Sequence, residues 1–278
     1  MDLTAVRDIV DGRSAEPWRP GDAWLAGGTV LFGEPQPGLR RLRDLATRGW
    51  RPLTVTEAGV EVAATCTVAE LLAFAETPDA PWPSGRRLIA GCCRAFSSSF
   101  KVWNTATVGG NLCAALPAGP MVSMAVALRG ECRVRDLDGR ERSVPAAEFV
   151  TGAGRTVLRP GELLRSVRLP AAALAERGTV RRVSTRPWGR SAALVTGMYD
   201  AAAERLTFAV TAATTRPVVV SLGASPGRGP SAAGLRRALD DALTPDVVFE
   251  DAHGRADWRR HLAGHLAEEV RQELTEER

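Results

Sequence analysis

The stretch TATVGGNLCAALPAGP, Thr105 to Pro120, decides the reading of this chain. It sets a glycine pair, Gly109-Gly110, between a β-branched run and an apolar one, with Thr107 before it and Asn111 after. A second stretch of the same grammar, WLAGGTVLF (Trp24 to Phe32), runs through Leu25 and Ala26 into Gly27-Gly28 and on to Thr29, Val30 and Leu31. A strand that ends in such a bend lets main-chain N–H groups approach a bulky anion, because no Cβ blocks it and positive φ is open at little cost. One glycine pair after a strand is more often a tight turn. Two of matching form point to a shared anion, and pyrophosphate is the usual one of that size. The GxGxxG fingerprint and the GxxxxGK[ST] phosphate loop are both absent, which disfavours a Rossmann nucleotide site or an ATPase.

Composition narrows the class. With 278 residues, 45% of them hydrophobic, the chain is long enough for two cores. No apolar run reaches the length of a membrane span, and MDLTAVRDIVDGRSAEPW carries charges where a signal peptide is apolar, so a cytoplasmic protein is expected. Cys66, Cys92, Cys93, Cys113 and Cys132 contain no CxxC, and read as reduced, mostly buried thiols rather than disulfides or metal ligands. The net charge of +4 comes from arginines scattered among Asp and Glu, with Lys101 the single lysine, so no basic stripe marks a nucleic-acid binder.

Local signals place the elements. LRDL (Leu42 to Leu45) reads as a strand, and PLTVTEAGVEVAATCT as a hairpin turning at Glu57-Ala58-Gly59. Thr67 with Glu70 has capping-box spacing and predicts a helix over Val68–Glu76 that stops before Pro78. TPDAPWPSG reads as a loop, Arg86 to Phe100 as a helix, and MVSMAVALRG as an apolar helix or buried segment. ECRVRDLDGRERSV predicts a hairpin about Asp138-Gly139. Beyond Pro170, AAALAERG reads as a linker or short helix. Two or three strands follow from Thr179, then a flexible connection over Ser221–Pro230, then two amphipathic helices. A boundary is expected near 170 to 178.

The ordered set LAGGTVL (Leu25 to Leu31), WNTATVGGNL (Trp103 to Leu112), LPAGP (Leu116 to Pro120) and GRTVLRPGELLRSVRLP (Gly154 to Pro170) resembles the FAD-binding medium subunit of the molybdenum hydroxylases, the family of xanthine dehydrogenase and aerobic carbon monoxide dehydrogenase. The resemblance implies an α+β chain. A two-subdomain FAD-binding fold of the vanillyl-alcohol oxidase (PCMH) type over residues 1–172, divided near 55, precedes a C-terminal domain over 173–278 with a small antiparallel sheet and helices. It implies that Leu25, Ala26, Gly27, Gly28, Thr29, Val30 and Leu31 wrap the pyrophosphate from one side. Thr107, Val108, Gly109, Gly110 and Asn111 do so from the other. It places Leu164 against the flavin ring, with core packing as the alternative. Counting back from Thr196-Gly197-Met198, it sets Arg182 at a basic position on the flavin side, with surface exposure as the alternative. No acid, base or nucleophile is required. Electrons arrive from a two-iron [2Fe-2S] small subunit fed by a molybdopterin large subunit, so a hetero-oligomer is implied, with NAD, oxygen or a quinone as acceptor.

Three positions depart from the family pattern: Val30, Trp103 and Pro120. Where this chain has Pro120, relatives carry an aspartate that reaches the adenosine end of FAD. Losing a carboxylate that accepts from ribose hydroxyls costs about 1–3 kcal/mol. These departures motivate a second reading, an interaction or scaffold protein of the same fold that has lost FAD. HLAGH (His261 to His265) puts two imidazoles one helical turn apart, but it lacks the glutamate of HExxH and reads as a solvated flank. The seven tryptophans, Trp82 and Trp188 among them, read as closing a core or an interface, with stacking on a base or flavin as the alternative.

Overall fold

A computed structural model describes residues 4–225 and 229–275. Residues 226–228 of the expected Ser221–Pro230 connection lie outside the described residues.

The first layer is a parallel sheet of three short strands, β1 (Asp8–Asp11), β2 (Asp22–Leu25) and β3 (Arg41–Asp44), in the order β1-β3-β2. The strand read at Leu42 begins one residue earlier and is central, with Leu42 buried. Its flanking arginines are buried too. The Asp22 carboxylate accepts from Arg41 Nε at 2.8 Å and from Arg43 Nε at 3.3 Å, while Arg43 Nη2 donates to the carbonyls of Glu16 and Pro17. These bonds fasten the loop between β1 and β2 and hold Asp22 down to about pH 2, chiefly through Arg41. A 3-10 turn over Leu45–Arg48, capped by Asp44, closes the layer at Gly49.

Strands β4 (Leu53–Thr56) and β5 (Gly59–Ala63) form the expected hairpin, with Thr56 opposite Gly59. The passage between sheets therefore falls at residues 49–52. Helix α1 (Val68–Glu76) starts in a full capping box, with Thr67 Oγ1 accepting from Glu70 N at 3.1 Å and the Glu70 carboxylate from Thr67 N at 2.8 Å.

The single helix expected over Arg86–Phe100 is two. Helix α2 (Pro83–Arg94) begins inside the supposed loop, because Pro83 at its first position has φ preset and needs no N–H acceptor there. A serine run interrupts the chain, and Ser99 opens α3 (Phe100–Trp103). Helices α4 (Val108–Ala114) and α5 (Pro120–Ala127) follow, the latter buried along its whole length. The hairpin of β6 (Glu131–Arg135) and β7 (Glu141–Pro145) turns as expected, with Gly139 at φ 85°. After α6 (Ala146–Phe149) and the short pair β8 (Val150–Gly152) and β9 (Arg155–Thr156), strand β10 (Leu163–Pro170) enters the middle of an antiparallel sheet of order β4-β5-β10-β6-β7. One face of this sheet packs on α1, α2, α4 and α5 around Val62, Leu71, Ile89, Met121 and Val167.

Helix α7 (Ala171–Ala175) is the short helix read at AAALAERG. It leads to an antiparallel meander of four strands, one more than the most expected: β11 (Arg177–Ser184), β12 (Ser191–Asp200), β13 (Arg205–Thr211) and β14 (Val218–Gly223). Helices α8 (Ala232–Ala242) and α9 (Ala256–Thr275) cover one face, and α2 and α5 meet the other, so the meander shares the larger core through Met198 and Ala209. His261 and His265 lie exposed on α9, and His265 faces Glu269 at 3.4 Å. No described helix is long and apolar enough to cross a membrane.

Candidate functional site

A cavity of about 520 Å³ opens where the end of β2, the start of α4, the end of α2 and the β11–β12 turn meet. Its first wall is the segment after β2. From Gly28 to Gly33 the chain makes one helical turn, with the Gly28 carbonyl accepting from Phe32 N at 2.8 Å and the Val30 carbonyl from Gly33 N at 3.1 Å. Gly28 takes the left-handed conformation, φ 69°, that turns the strand into this loop. Among the described residues the five successive N–H groups of Gly27, Gly28, Thr29, Val30 and Leu31 have no protein acceptor, and all five residues line the cavity. Such a run of unsatisfied donors is an anion cradle made of backbone.

The second glycine pair plays a different part. It lies in the first turn of α4, not in a bend after a strand, because Thr107 caps the helix. Val108 N donates to the Cys66 carbonyl at 2.8 Å, Gly109 N to the Ala64 carbonyl at 3.0 Å, Gly110 N to Thr107 Oγ1 at 3.0 Å, and Asn111 N to the Thr107 carbonyl at 2.9 Å. Every early donor of the helix is thus engaged, and the expectation of two equivalent N–H cradles is corrected. Gly109 faces inward, where a Cβ would meet Ala64 Cβ at 2.4 Å. Gly110 faces the cavity, beside Ala26. This wall offers side chains: the Thr107 hydroxyl, and the amide of Asn111, whose Oδ1 accepts from Met121 N at 3.1 Å.

Of the residues singled out in the sequence, the structure brings Ala26, Gly27, Gly28, Thr29, Val30, Leu31, Thr107, Gly110 and Asn111 to one cavity. Leu25, Val108 and Gly109 stand behind them. Leu164 lies in the core at 2% exposure, which is its alternative reading; its main-chain N–H approaches Cys113, which does line the cavity. Arg182 is half-buried and its guanidinium is committed to carbonyls, donating to Ala95 at 3.1 Å, Pro187 at 3.2 Å and Gly189 at 3.5 Å. It braces the β11–β12 turn against the end of α2.

The departures also find their places. Pro120 is buried at the first position of α5, which suits its ring. The Trp103 indole N–H donates to the Phe96 carbonyl at 3.1 Å, and Val30 is partly exposed at the cavity wall.

Sequence reading missed the rest of the lining. Phe96, Ser97 and Ser98 come from the break between α2 and α3, and the serine run was the available signal. Arg190 and Ser191 come from the far side of the β11–β12 turn. Ser191 is 4% exposed and its Oγ has no partner among the described residues. All five cysteines are free thiols. Burial pushes Cys113 up to about 12, partly offset by the Leu164 N–H. Among the described residues the lining contains no Asp, Glu or His, and Arg190 is its one charged side chain. A wall without carboxylates and with free amides is suited to holding a polyanion and carries no acid–base machinery.

Comparison with known proteins settles the family. A family profile described as the FAD binding domain in molybdopterin dehydrogenase matches residues 25–172. The chain belongs to this family. FAD is the cofactor of the domain, and the backbone cradle and cavity fit a ligand carrying a pyrophosphate. Xanthine dehydrogenase 1 of Arabidopsis thaliana is 31% identical over 124 residues, 42% of this chain and 9% of that protein. Xanthine dehydrogenase of Oryza sativa subsp. japonica is 34% identical over 70 residues, 25% of this chain and 5% of its own length. The chain thus spans about a tenth or less of these plant relatives. Among solved structures, CO dehydrogenase from Oligotropha carboxidovorans superposes with a TM-score of 0.80 at 17% identity, covering 99% of each chain. Quinoline 2-oxidoreductase from Pseudomonas putida 86 gives 0.77 at 18%, covering 99% of this chain and 100% of its own. At such identities the likeness shows the shared α+β fold.

Proposed function

We propose that the chain is the FAD-binding electron-transfer subunit of a molybdenum hydroxylase, an oxidoreductase, acting in the cytoplasm with residues 1–172 as the flavin domain and 173–278 as the C-terminal domain. The observation that carries the reading is the run of five unpaired N–H groups from Gly27 to Leu31 on a cavity without carboxylates. Each hydrogen bond to a charged acceptor contributes about 1.5–3 kcal/mol, so a diphosphate seated there gains its hold from main chain alone. Thr107 and Asn111 face it with a hydroxyl and an amide. Ser191 supplies a buried hydroxyl whose oxygen accepts from a ribose O–H or a ring N–H, which offsets part of what Pro120 removes. When bound, the flavin accepts and passes on electrons, and the protein contributes position and electrostatics.

The cysteines lack the spacing of cluster ligands, so electrons are supplied by a [2Fe-2S] partner and ultimately by a molybdopterin subunit, which selects the substrate. The length of the plant relatives supports this, since the chain covers only a small part of them. The test is the visible spectrum of the purified chain. Flavin bands, with FAD released on heating, are expected; a colourless protein that stays apo in excess FAD overturns the reading.

A further inference from the structure

A second feature of the molecule lies behind the cavity wall, on the far side of Trp24. Among the described residues, buried and half-buried arginines are held by acceptors almost everywhere: Arg41 and Arg43 by Asp22, Arg142 by Glu162, Arg259 by Asp251 and Arg271 by Glu268. Arg48, Arg135 and Arg165 are the exceptions. All three are half-buried, and none makes an ion pair or a side-chain hydrogen bond among the described residues. Arg48 Nε is fully buried with no partner.

These three belong to one cluster. The Arg48 guanidinium lies 5.7 Å from the Trp24 ring centre and 5.6 Å from that of Trp50, and Arg165 lies over Trp50 at 4.3 Å. Stacking covers guanidinium faces and leaves the N–H edges to be satisfied in plane. Burial, with Arg135 nearby and against Asp11, lowers the proton affinity of Arg48; burial does the same for Arg165, against the opposing charges of Glu61 and Glu141 and with those of Arg133 and Arg135. The carboxylates facing the cluster are already engaged. Asp11 accepts from Thr47 Oγ1 at 2.8 Å and Arg13 N at 2.7 Å; Glu61 accepts from Ser166 Oγ at 2.6 Å and faces Arg133, which also binds Glu141. Half-burying a charge is costly, and here Asp11, Glu61 and Glu141 offset that cost only in part, without pairing directly with Arg48 or Arg165.

We propose that Arg48 and Arg165, stacked on Trp50, together with the neighbouring Arg135, form a docking site for a partner protein surface that presents closely spaced Asp and Glu carboxylates. Tryptophan and arginine are the residue types that anchor interfaces, and guanidinium edges take carboxylates in bidentate fashion. None of the three arginines lines the flavin cavity, although Trp24, beneath Arg48, forms part of its wall.

The test uses the whole chain, with hexaglutamate as probe and tryptophan emission as readout at low ionic strength. Wild type binds with a steep salt dependence. The Arg48→Gln/Arg135→Gln/Arg165→Gln variant is expected to lose at least tenfold in affinity. A control substituting the exposed Arg87, Arg155 and Arg237 by Gln stays within twofold. Arg135→Gln alone, which removes a charge but no ring contact, weakens binding severalfold and guards against misfolding of the triple variant. FAD content is unchanged in every variant. Equal binding by wild type and triple variant, an equal loss in the control, or a saturable response to inorganic phosphate without one to hexaglutamate each overturns the proposal. Loss of FAD from the triple variant does so too, by assigning the guanidiniums to the cavity.

Discussion

Gly27 lies against Thr105 so closely that a Cβ on Gly27 would sit 1.9 Å from the Thr105 carbonyl oxygen. The two glycine-bearing segments are therefore in backbone contact, and the cavity is built on that contact. Neither atom is the end of a flexible side chain, so nothing gives way cheaply. Gly27→Ala is expected to separate the segments, costing roughly 1–3 kcal/mol as other overpacked sites do, and to lower both the thermal midpoint and FAD content. Calorimetry and the absorbance ratio of flavin to protein check it.

The second pair divides by direction. At Gly109 a Cβ meets the Ala64 main chain at 2.7 Å, whereas at Gly110 it meets only Thr107 Oγ1 at 2.8 Å and Ala26 Cβ at 3.9 Å. Gly109→Ala is expected to unfold or strongly destabilise the chain. Gly110→Ala loses about 1 kcal/mol with the disturbed cap, keeps its fold, and binds FAD at least tenfold more weakly. Equal loss of stability in the two variants would remove the distinction, and circular dichroism melts with FAD titration read it.

What was legible in the sequence was local chemistry. The capping box at Thr67, the Asp138-Gly139 turn and the glycine after β2 each fix a few residues by rules that need no distant partner. The state of the second glycine pair was only partly local: Gly110 N is engaged by the nearby Thr107 Oγ1, but Gly109 N and the preceding Val108 N are engaged by the carbonyls of Ala64 and Cys66, which lie beyond the preceding three helices in sequence. Leu164 shows the same limit. Strand alternation gave no face for it, because a register shift at Leu164/Ser166 breaks the period. Arg190 and Ser191 reach the cavity only because β12 packs beside α5, a tertiary fact no motif carries.

Asp22 joins β2, and hence the cradle, to the rest of the first sheet. Its side chain is 1% exposed between Arg41 and Arg43. Asp22→Asn leaves two buried guanidiniums short of a counter-charge, though Arg41 keeps Glu16, and is expected to cost about 3 kcal/mol at neutral pH. The acid's pKa is depressed in the folded chain, from the ordinary 3.8 to about 2. Its contribution is therefore complete above about pH 4 and is lost as pH falls toward 2. Denaturant melts should show the gap between wild type and Asp22→Asn closing over that interval; a constant gap contradicts the assignment.

Cys113 is the half-buried thiol of the five and lines the cavity. Its surroundings push it up to about 12, so little thiolate exists at neutral pH. Iodoacetamide is expected to modify Cys113 first, slowly, about tenfold faster per pH unit from 7 to 10. Saturating FAD should slow that modification. Peptide mass mapping decides it, and prior labelling of Cys92 or Cys132 would show that the cavity is not the accessible face.

Arg182 tests whether the far wall is held or merely adjacent. Its guanidinium reaches Ala95 on one side and Pro187 and Gly189 on the other, and Ser97 Oγ donates to the Trp188 carbonyl across the same gap. Arg190 and Ser191, at the end of that turn, line the cavity. A lysine ammonium has no planar fork to span these carbonyls, so Arg182→Lys keeps the charge and loses the brace. If charge toward the ligand matters, the lysine variant binds FAD like wild type and Arg182→Gln does not. If the brace matters, both variants weaken FAD alike, by about three- to tenfold, and amide exchange across residues 185–190 accelerates in both. The bonding pattern favours the second outcome, and exchange measured by mass spectrometry on the chain without added FAD separates the brace from any direct contact with the cofactor.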